Sequence, residues 1–530
     1  MPDDCSAYAH SAFFSPLIRD YLLEKEAVRD LYNRFPSLEN FKAQLEEKAS
    51  NYPFAYREIL ANALTEQYQN CQADAATVKN IACLREKNTF TITTGHQLNI
   101  GTGPLYFIYK IFSTINLCKQ LQETYPDNQF VPVYWMATED HDLVEINHLV
   151  VKNKKVVWQK EGAGAVGRLS TEGMEAVINE IKNLLGNTAG ATELIELFSN
   201  SYLTSTTLAD ATRKLVNALF GSYGLVIVDG DDPILKSLFI PQLHAELHTQ
   251  FSAAAVRETI TKMQVYKIQV NPREINLFYL DEQLRERIIL ENGRYKVLNT
   301  TLEFSAEELQ KLVQDQPEKF SPNVLLRPLY QEVILPNLCY IGGGGELAYW
   351  LELKALFAKA QISFPMVLLR NSVVIASEKT KVKLAKTPLV WEDLFKTPDE
   401  IIRLYLAKTT TPTLDFTKLN QQLVQQFSYL HQQAAVTHPS FLSMLKAQET
   451  KQLKGLAAME KRFYRAEVKT NQERINQLLA IQNEVFPNQK LLERTTNFAD
   501  YYSVYGRLFL EKLSQKLDPL DPKFTSLFLD

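Results

Sequence analysis

The chain has 530 residues, 45% hydrophobic and 22% charged; this is globular composition with material for a large core, and it excludes a disordered or collagen-like chain. Lys and Arg number 57 against 61 Asp and Glu, a formal net charge of -4, which argues against a generally basic nucleic-acid-binding surface. No stretch approaches the ~20 apolar residues of a membrane helix, and the start, MPDDCSAYAH, lacks the basic and apolar segments of a secretory signal, so the expectation is a cytoplasmic protein with no nucleic-acid or membrane partner.

Residues 1–88 read as a helical segment, with apolar spacing of three and four over Leu17–Tyr32 and Leu38–Lys48 and a helix entry at Ser37. Residues 89–150 read as the first part of an α/β core. The β-branched run Thr89–Thr94 predicts a strand, Gly95 to Gly103 a glycine-rich loop, and Pro104 the first position of a helix running to about Glu123. Phe130–Ala137 is nearly all apolar, as in a parallel strand covered on both faces. Strand, helix, strand is one βαβ unit.

Residues 151–322 read as inserted connecting subdomains. They carry a hairpin turning at Glu161–Gly164, helices to about Phe220, a core strand near 225–229, and antiparallel strands over 264–300 with Asn292-Gly293 as a turn. Residues 323–395 return to the core, with a second strand, glycine loop and helix (Leu338–Ile341, Gly342–Gly345, Glu346–Ala360) and a strand at Met366–Arg370. Residues 396–488 read as a long helical coiled-coil hairpin. The run from Pro439 to about Val485 has no proline and would be roughly 65–70 Å long as one helix, so it projects from the body or pairs with another subunit. The tail, 489–530, reads as packing back on the core.

Three constellations carry chemistry. The first is the loop containing Gly95, His96, Gln97, Gly101, Thr102 and Gly103, with Tyr106 and Lys110 beyond it. Glycines and a helix start suit phosphate or carboxylate, yet the loop is neither GxxxxGK[ST] nor GxGxxG, and a ligand-free tight turn fits the spacing as well. The second is Glu139, Asp140, His141 and Asp142 at a strand end, with Asn147 and His148. It reads as a hard-metal site for Mg²⁺, a general base, or a solvated loop; no standard zinc spacing is present. The third is Arg327, Tyr330, Gln331 and Asn337 with Gly342, Gly343, Gly344, Gly345, Glu346, Tyr349 and Trp350, followed by Arg370 and Asn371. An Arg fork suits a carboxylate or phosphate, whereas Glu346 as a plain helix cap and Trp350 as core are the bland alternatives. The five cysteines (Cys5, Cys71, Cys83, Cys118, Cys339) are widely spaced and form no CxxC, so neither a disulfide framework nor a cysteine zinc site is expected, and Cys339 reads as a buried thiol.

The segments TTGHQLNIGTGPLYFIYK (93–110), VPVYWMATEDHDLVEINH (131–148), LLRPLYQEVILPNLCYIGGGGELAYWLELK (325–354) and PMVLLRNS (365–372) together resemble the bacillithiol-biosynthesis cysteine-adding enzymes. His96, where that family often has Gln, and Gly344, where it usually has proline, depart from the pattern. The resemblance implies a Rossmann-like core akin to nucleotidyl transferases, connecting insertions, and a C-terminal coiled coil that pairs two subunits. It implies a ligase joining L-cysteine to the amine of glucosaminyl-malate. Making that amide from a free carboxylate needs activation, for which ATP or another nucleotide, with Mg²⁺, is the cofactor to consider, although no Walker A motif is present. On that expectation the Gly95–Gly103 loop holds an anion, Arg327 and Arg370 clamp a carboxylate, and Asp140, His141 or Asp142 orients or deprotonates the amine. A nucleotidyl transferase acting on another small acceptor and a non-catalytic dimeric scaffold are the competing readings.

Overall fold

The structure is a computed structural model that describes residues 8–409 and 414–529. Cys5, most of the polar start and positions 410–413 of the expected helical hairpin lie outside the described residues. The described residues divide into two units, one of residues 8–373 with 492–525, the other of residues within 374–491 with 526–529. The division falls at residue 373, whereas the sequence suggested that the core runs on to 395.

The larger unit is built on five parallel strands, β1 (Thr89–His96), β2 (Gln129–Met136), β3 (Val226–Asp229), β4 (Asn337–Gly342) and β5 (Met366–Leu369), in the order β5-β4-β1-β2-β3. Every residue of β1 is buried, as are those of β4 and β5, which explains runs of β-branched and apolar residues without alternation. The hydroxyls of Thr91 and Thr93 are satisfied inside the sheet by Asn337 Oδ1 at 3.3 and 2.8 Å. Below the sheet, Phe90, Ile92, Leu117, Leu338, Ile341 and Met366 share one core cluster, each such side chain contributing about 1.5–3 kcal/mol on burial. Helix α1 (Tyr106–Thr124) links β1 to β2, and α2 (Leu326–Ile334) and α3 (Gly344–Leu351) flank β4. The chain goes from β1 outward to β3, then returns to place β4 on the other side of β1. The strand order therefore reverses between β1 and β4, and a parallel sheet opens its ligand crevice at the carboxyl ends there.

Several boundaries differ from the sequence reading. β1 extends through Gly95 and His96, and Pro104 precedes α1 instead of opening it. Leu17–Tyr32 is an α-helix, Pro16–Leu22, and a 3₁₀ turn, Glu26–Leu31, separated by Glu24 at φ 49°. The first hairpin (His148–Val151 with Lys154–Val157) turns at Lys152 and Asn153, with φ of 49° and 61°, not at Glu161–Gly164. The second turns at Asn292-Gly293 as expected, and belongs to a five-stranded sheet built from residues 277–322. The Gly342–Gly345 loop is short because α3 already begins at Gly344; the helix ends at Leu351 and a separate one spans Lys354–Ala360. Within the larger unit, residues 492–525 pack on the core: Asn497 Nδ2 bonds the Gly101 and Gly103 carbonyls, and Glu493 pairs with Arg370.

In the smaller unit, helices Phe416–Ala434 and Pro439–Thr470 form an antiparallel pair around Phe427, Ala434 and Leu445. The long helical run breaks at Asn471, with Gln472–Val485 as a separate helix. Its longest helix, of 32 residues, therefore spans about 48 Å.

Candidate functional site

The carboxyl ends of β1, β2 and β4 open into a cavity of about 920 Å³. One wall belongs to the core: Gly95 and His96 at the end of β1, the segment Met136–His141 after β2, Arg327 from α2, Tyr340 from β4, and Glu346 and Tyr349 from α3. The facing wall comes from the insertion and the two residues that follow it: Gln269–Asn271, Arg273, Phe278, Arg285–Arg287 and Pro322–Val324.

Glycine at position 95 has a packing reason. A Cβ there would stand 3.0 Å from the Tyr340 hydroxyl and 3.8 Å from Arg327 Nη1. Lys110, one turn into α1, reaches back along the helix. Its Nζ donates to the Gly95 carbonyl at 2.7 Å and pairs with Glu346 Oε2 at 2.6 Å while only 2% exposed. Glu346 also accepts from the Gly343 N–H at 2.8 Å and the Tyr340 hydroxyl at 2.7 Å. Burial alone would raise its carboxyl; Lys110 and these two donors hold it below its usual value. Burial, with the charges of Lys110 and Arg370, drives His96 well below its usual range, so the ring is neutral, and its Nε2 is buried without a partner among the described residues. Arg327 donates to Gln331 at 3.1 Å and to the Tyr349 hydroxyl at 3.3 Å.

On the β2 side, Asp140 Oδ1 accepts the N–H of His141 at 2.7 Å and, in an Asx-type turn, that of Asp142 at 3.4 Å, and Gln97 Nε2 donates to Oδ2 at 2.8 Å. His141 Nδ1 lies 2.6 Å from Arg285 Nη1. A guanidinium only donates, so Nδ1 is the acceptor and the ring proton sits on Nε2. Burial raises the Glu139 carboxyl against the pull of Lys236, with which it is paired.

The structure thus brings Gly95, His96, Gln97, Tyr106, Lys110, Glu139, Asp140, His141, Arg327, Glu346 and Tyr349 to one cavity. It does not bring the others there. Gly101, Thr102 and Gly103 form a turn whose N–H at Gly101 is taken by the Tyr202 hydroxyl and at Gly103 by the Ile100 carbonyl. Asp142 caps the short helix Leu143–Ile146 by accepting from the Glu145 N–H, and Asn147 and His148 follow that helix and bond each other. Tyr330 is buried and donates to the Gly230 carbonyl; Gln331 and Asn337 both bond Glu332 in the core; Trp350 is wholly buried. Gly342, Gly344 and Gly345 shape the start of α3 outside the cavity lining, and the Gly343 N–H belongs to Glu346. Arg370 is paired with Glu493 at 2.6 Å, and Asn371 with Ser113 at 2.8 Å. Burial pushes the Cys339 thiol well above its usual range, as suits a structural group.

Arg273, Phe278, Arg285 and Arg287 are not among the residues that the sequence singles out. Their one signal is Arg-x-Arg on an antiparallel strand, which reads as readily as a solvated face. No group of three or more His, Cys, Asp or Glu side chains suited to a metal ion occurs among the described residues. No helix among them is long and apolar enough to cross a membrane.

These features define a Rossmann-like protein with a charged cavity for small ligands at its switch point. The bacillithiol biosynthesis BshC N-terminal Rossmann-like domain matches residues 1–371, and the BshC C-terminal coiled-coil domain matches residues 373–529. The chain belongs to the BshC bacillithiol-biosynthesis family. It is similar to proteins from Flavobacterium johnsoniae (50% identity), Flavobacterium psychrophilum (52%) and Christiangramia forsetii (47%), over 99% of this chain and 99% of each relative. All three carry the provisional name cysteine ligase BshC.

Proposed function

We propose that this protein is an enzyme that joins the carboxyl of L-cysteine to the glucosamine amine of glucosaminyl-malate, forming an amide in the last step of bacillithiol biosynthesis. The observation that carries this reading is the two-walled charged cavity at the β1/β4 switch point of a chain whose relatives are named for cysteine ligation. Three groups there have separable roles. Lys110, Tyr340 and the Gly343 N–H converge on one carboxylate position, which Glu346 fills. Asp140, oriented by Gln97 and its own turn, is the carboxylate that takes the proton from the attacking amine, which is nucleophilic only when neutral. His141, its Nδ1 accepting from Arg285, offers Nε2–H as a donor. Holding amine and carboxyl together supplies effective molarities up to ~10⁵ M or more.

Condensation of a free carboxylate with an amine needs activation, and a nucleoside triphosphate with Mg²⁺ is the class of reagent that supplies it. The N–H groups of Gly101, Gly103 and Gly343 are bonded within the protein, so these loops as they stand do not fit a triphosphate. A cytoplasmic site and pairing of two copies through the long helices complete the reading; Tyr429 and Met459, 62% and 57% exposed there, support the pairing.

The test is purified protein with L-cysteine, glucosaminyl-malate, Mg²⁺ and each common nucleoside triphosphate, assayed by mass for the cysteinyl product. No product from folded protein under any nucleotide refutes the ligase reading. Asp140→Asn is expected to lose most activity while staying folded, and full activity in that variant removes Asp140 from the chemistry.

A further inference from the structure

On the core wall Lys110 is paired with Glu346 and Glu139 with Lys236, and Arg327 is held by the neutral groups of Gln331 and Tyr349. The insertion wall adds three further guanidinium groups. Arg273 and Arg287 line the same cavity, and neither has a carboxylate within ion-pair distance among the described residues. Arg285 and Arg287 alternate on one strand and so share a face, about 7 Å apart along it. Phe278 is directly across the ladder from Arg287, and the Arg285 guanidinium lies 4.0 Å over its ring. Arg285 is further fixed by Ser321 Oγ at 3.1 Å and by His141. One guanidinium is thus locked against an aromatic floor, and two more line the cavity beside Glu286 without forming an ion pair among the described residues.

We propose that Arg273, Arg285 and Arg287 form the subsite for a dicarboxylate, namely the malate end of the acceptor. Planar forks suit planar carboxylates bidentately, and two carboxylates need more than one fork. This assignment rests on the ligase reading and moves malate recognition away from the Gly95–Gly103 loop and Arg370, whose groups are occupied within the protein. The insertion then selects the acceptor, while the sheet edge holds the reacting groups.

The test titrates the full chain calorimetrically with L-malate, L-lactate and inorganic triphosphate. L-malate is expected to bind more tightly than L-lactate. Arg273→Gln and Arg287→Gln are each expected to weaken malate binding roughly ten- to hundredfold, the scale of a charge-assisted hydrogen bond. Arg287→Lys is expected to fall between, since it keeps the charge and loses the fork. Unchanged malate affinity in both Gln variants overturns the assignment. So does triphosphate that binds more tightly than malate and loses affinity equally in the variants, which would make the wall a phosphate site. In turnover, the KM for glucosaminyl-malate should rise in Arg287→Gln while the KM for cysteine does not. If the wild-type chain makes no cysteinyl product yet its malate binding depends on these arginines, the ligase reading falls and the subsite stands. If product forms with an unchanged sugar KM in both variants, the subsite falls and the ligase reading stands.

Discussion

Replacing Lys110 by Met isolates the physics of the cavity floor. The ammonium is 2% exposed, 2.6 Å from Glu346 Oε2 and 2.7 Å from the Gly95 carbonyl. Met fills similar volume, so little cavity term enters. The loss is that of one partner of a buried ion pair, about 3–5 kcal/mol. Glu346 keeps the Gly343 N–H and the Tyr340 hydroxyl, which favours the lower end, about 3 kcal/mol. Because Glu346 is held below its usual value, the wild-type advantage is complete above the ordinary carboxylate range and fades as pH falls through the depressed value. Adding Glu346→Gln removes the stranded charge, so the double variant should recover about 1–2 kcal/mol relative to the sum of the single losses. Urea unfolding followed by fluorescence reads this directly, since Trp135, Trp158 and Trp350 are buried in this unit. A loss below about 1 kcal/mol for Lys110→Met at neutral pH, or strict additivity in the double variant, would refute the reasoning.

Glu352, buried and accepting from the Gln269 and Val270 N–H groups, is pushed by burial from its usual 4.5 to about 7. Between those values the folded chain keeps a proton that the unfolded chain releases, so stability falls as pH rises across the window, by up to ~3 kcal/mol. Glu352→Gln should flatten that slope in urea titrations at pH 5 and 8, and equal slopes would count against it. Nitrogen NMR of labelled His141 should show Nδ1 without a proton, and Arg285→Met should remove that preference; a protonated Nδ1 in the wild type would contradict the contact with Arg285. Gly103 has φ 66°, and a Cβ there would stand 2.6 Å from that of Asn99, so Gly103→Ala should cost about 1–3 kcal/mol. Gly455→Ala, inside a helix with nothing within 4 Å of its Cβ, should instead add about 0.5–1 kcal/mol to the helical unit, both read by thermal unfolding.

The sheet was legible because four of its five strands are apolar runs too short for helices and end in polar residues, which marks both the parallel arrangement and its ligand edge. Gly95, Glu139 and Glu346 were found this way, since each lies on a strand that ends at that edge or within a few residues of such an end, whereas Arg327, on α2, was found by its fork alone. The same logic overreached at Asp142, Asn337, Tyr330 and Trp350. Side chains that cap a helix or fill a core have the same chemistry as side chains that hold a ligand, and only burial and partners separate them. The break at Asn471 was hidden because asparagine carries no strong stop signal. The insertion arginines were invisible for a topological reason. An antiparallel ribbon shows its own alternation in sequence, but not the element its outer face is turned toward.

The placement of Arg285 and Arg287 on an inserted ribbon separates two evolutionary freedoms. On the proposed subsite, substitutions on that ribbon would alter which anion is admitted without disturbing the packed strands, and swapping the ribbon between homologous chains would transfer acceptor preference as a module. The long sequence distance between the halves of the cavity is thus the means by which one scaffold can be retuned piecemeal.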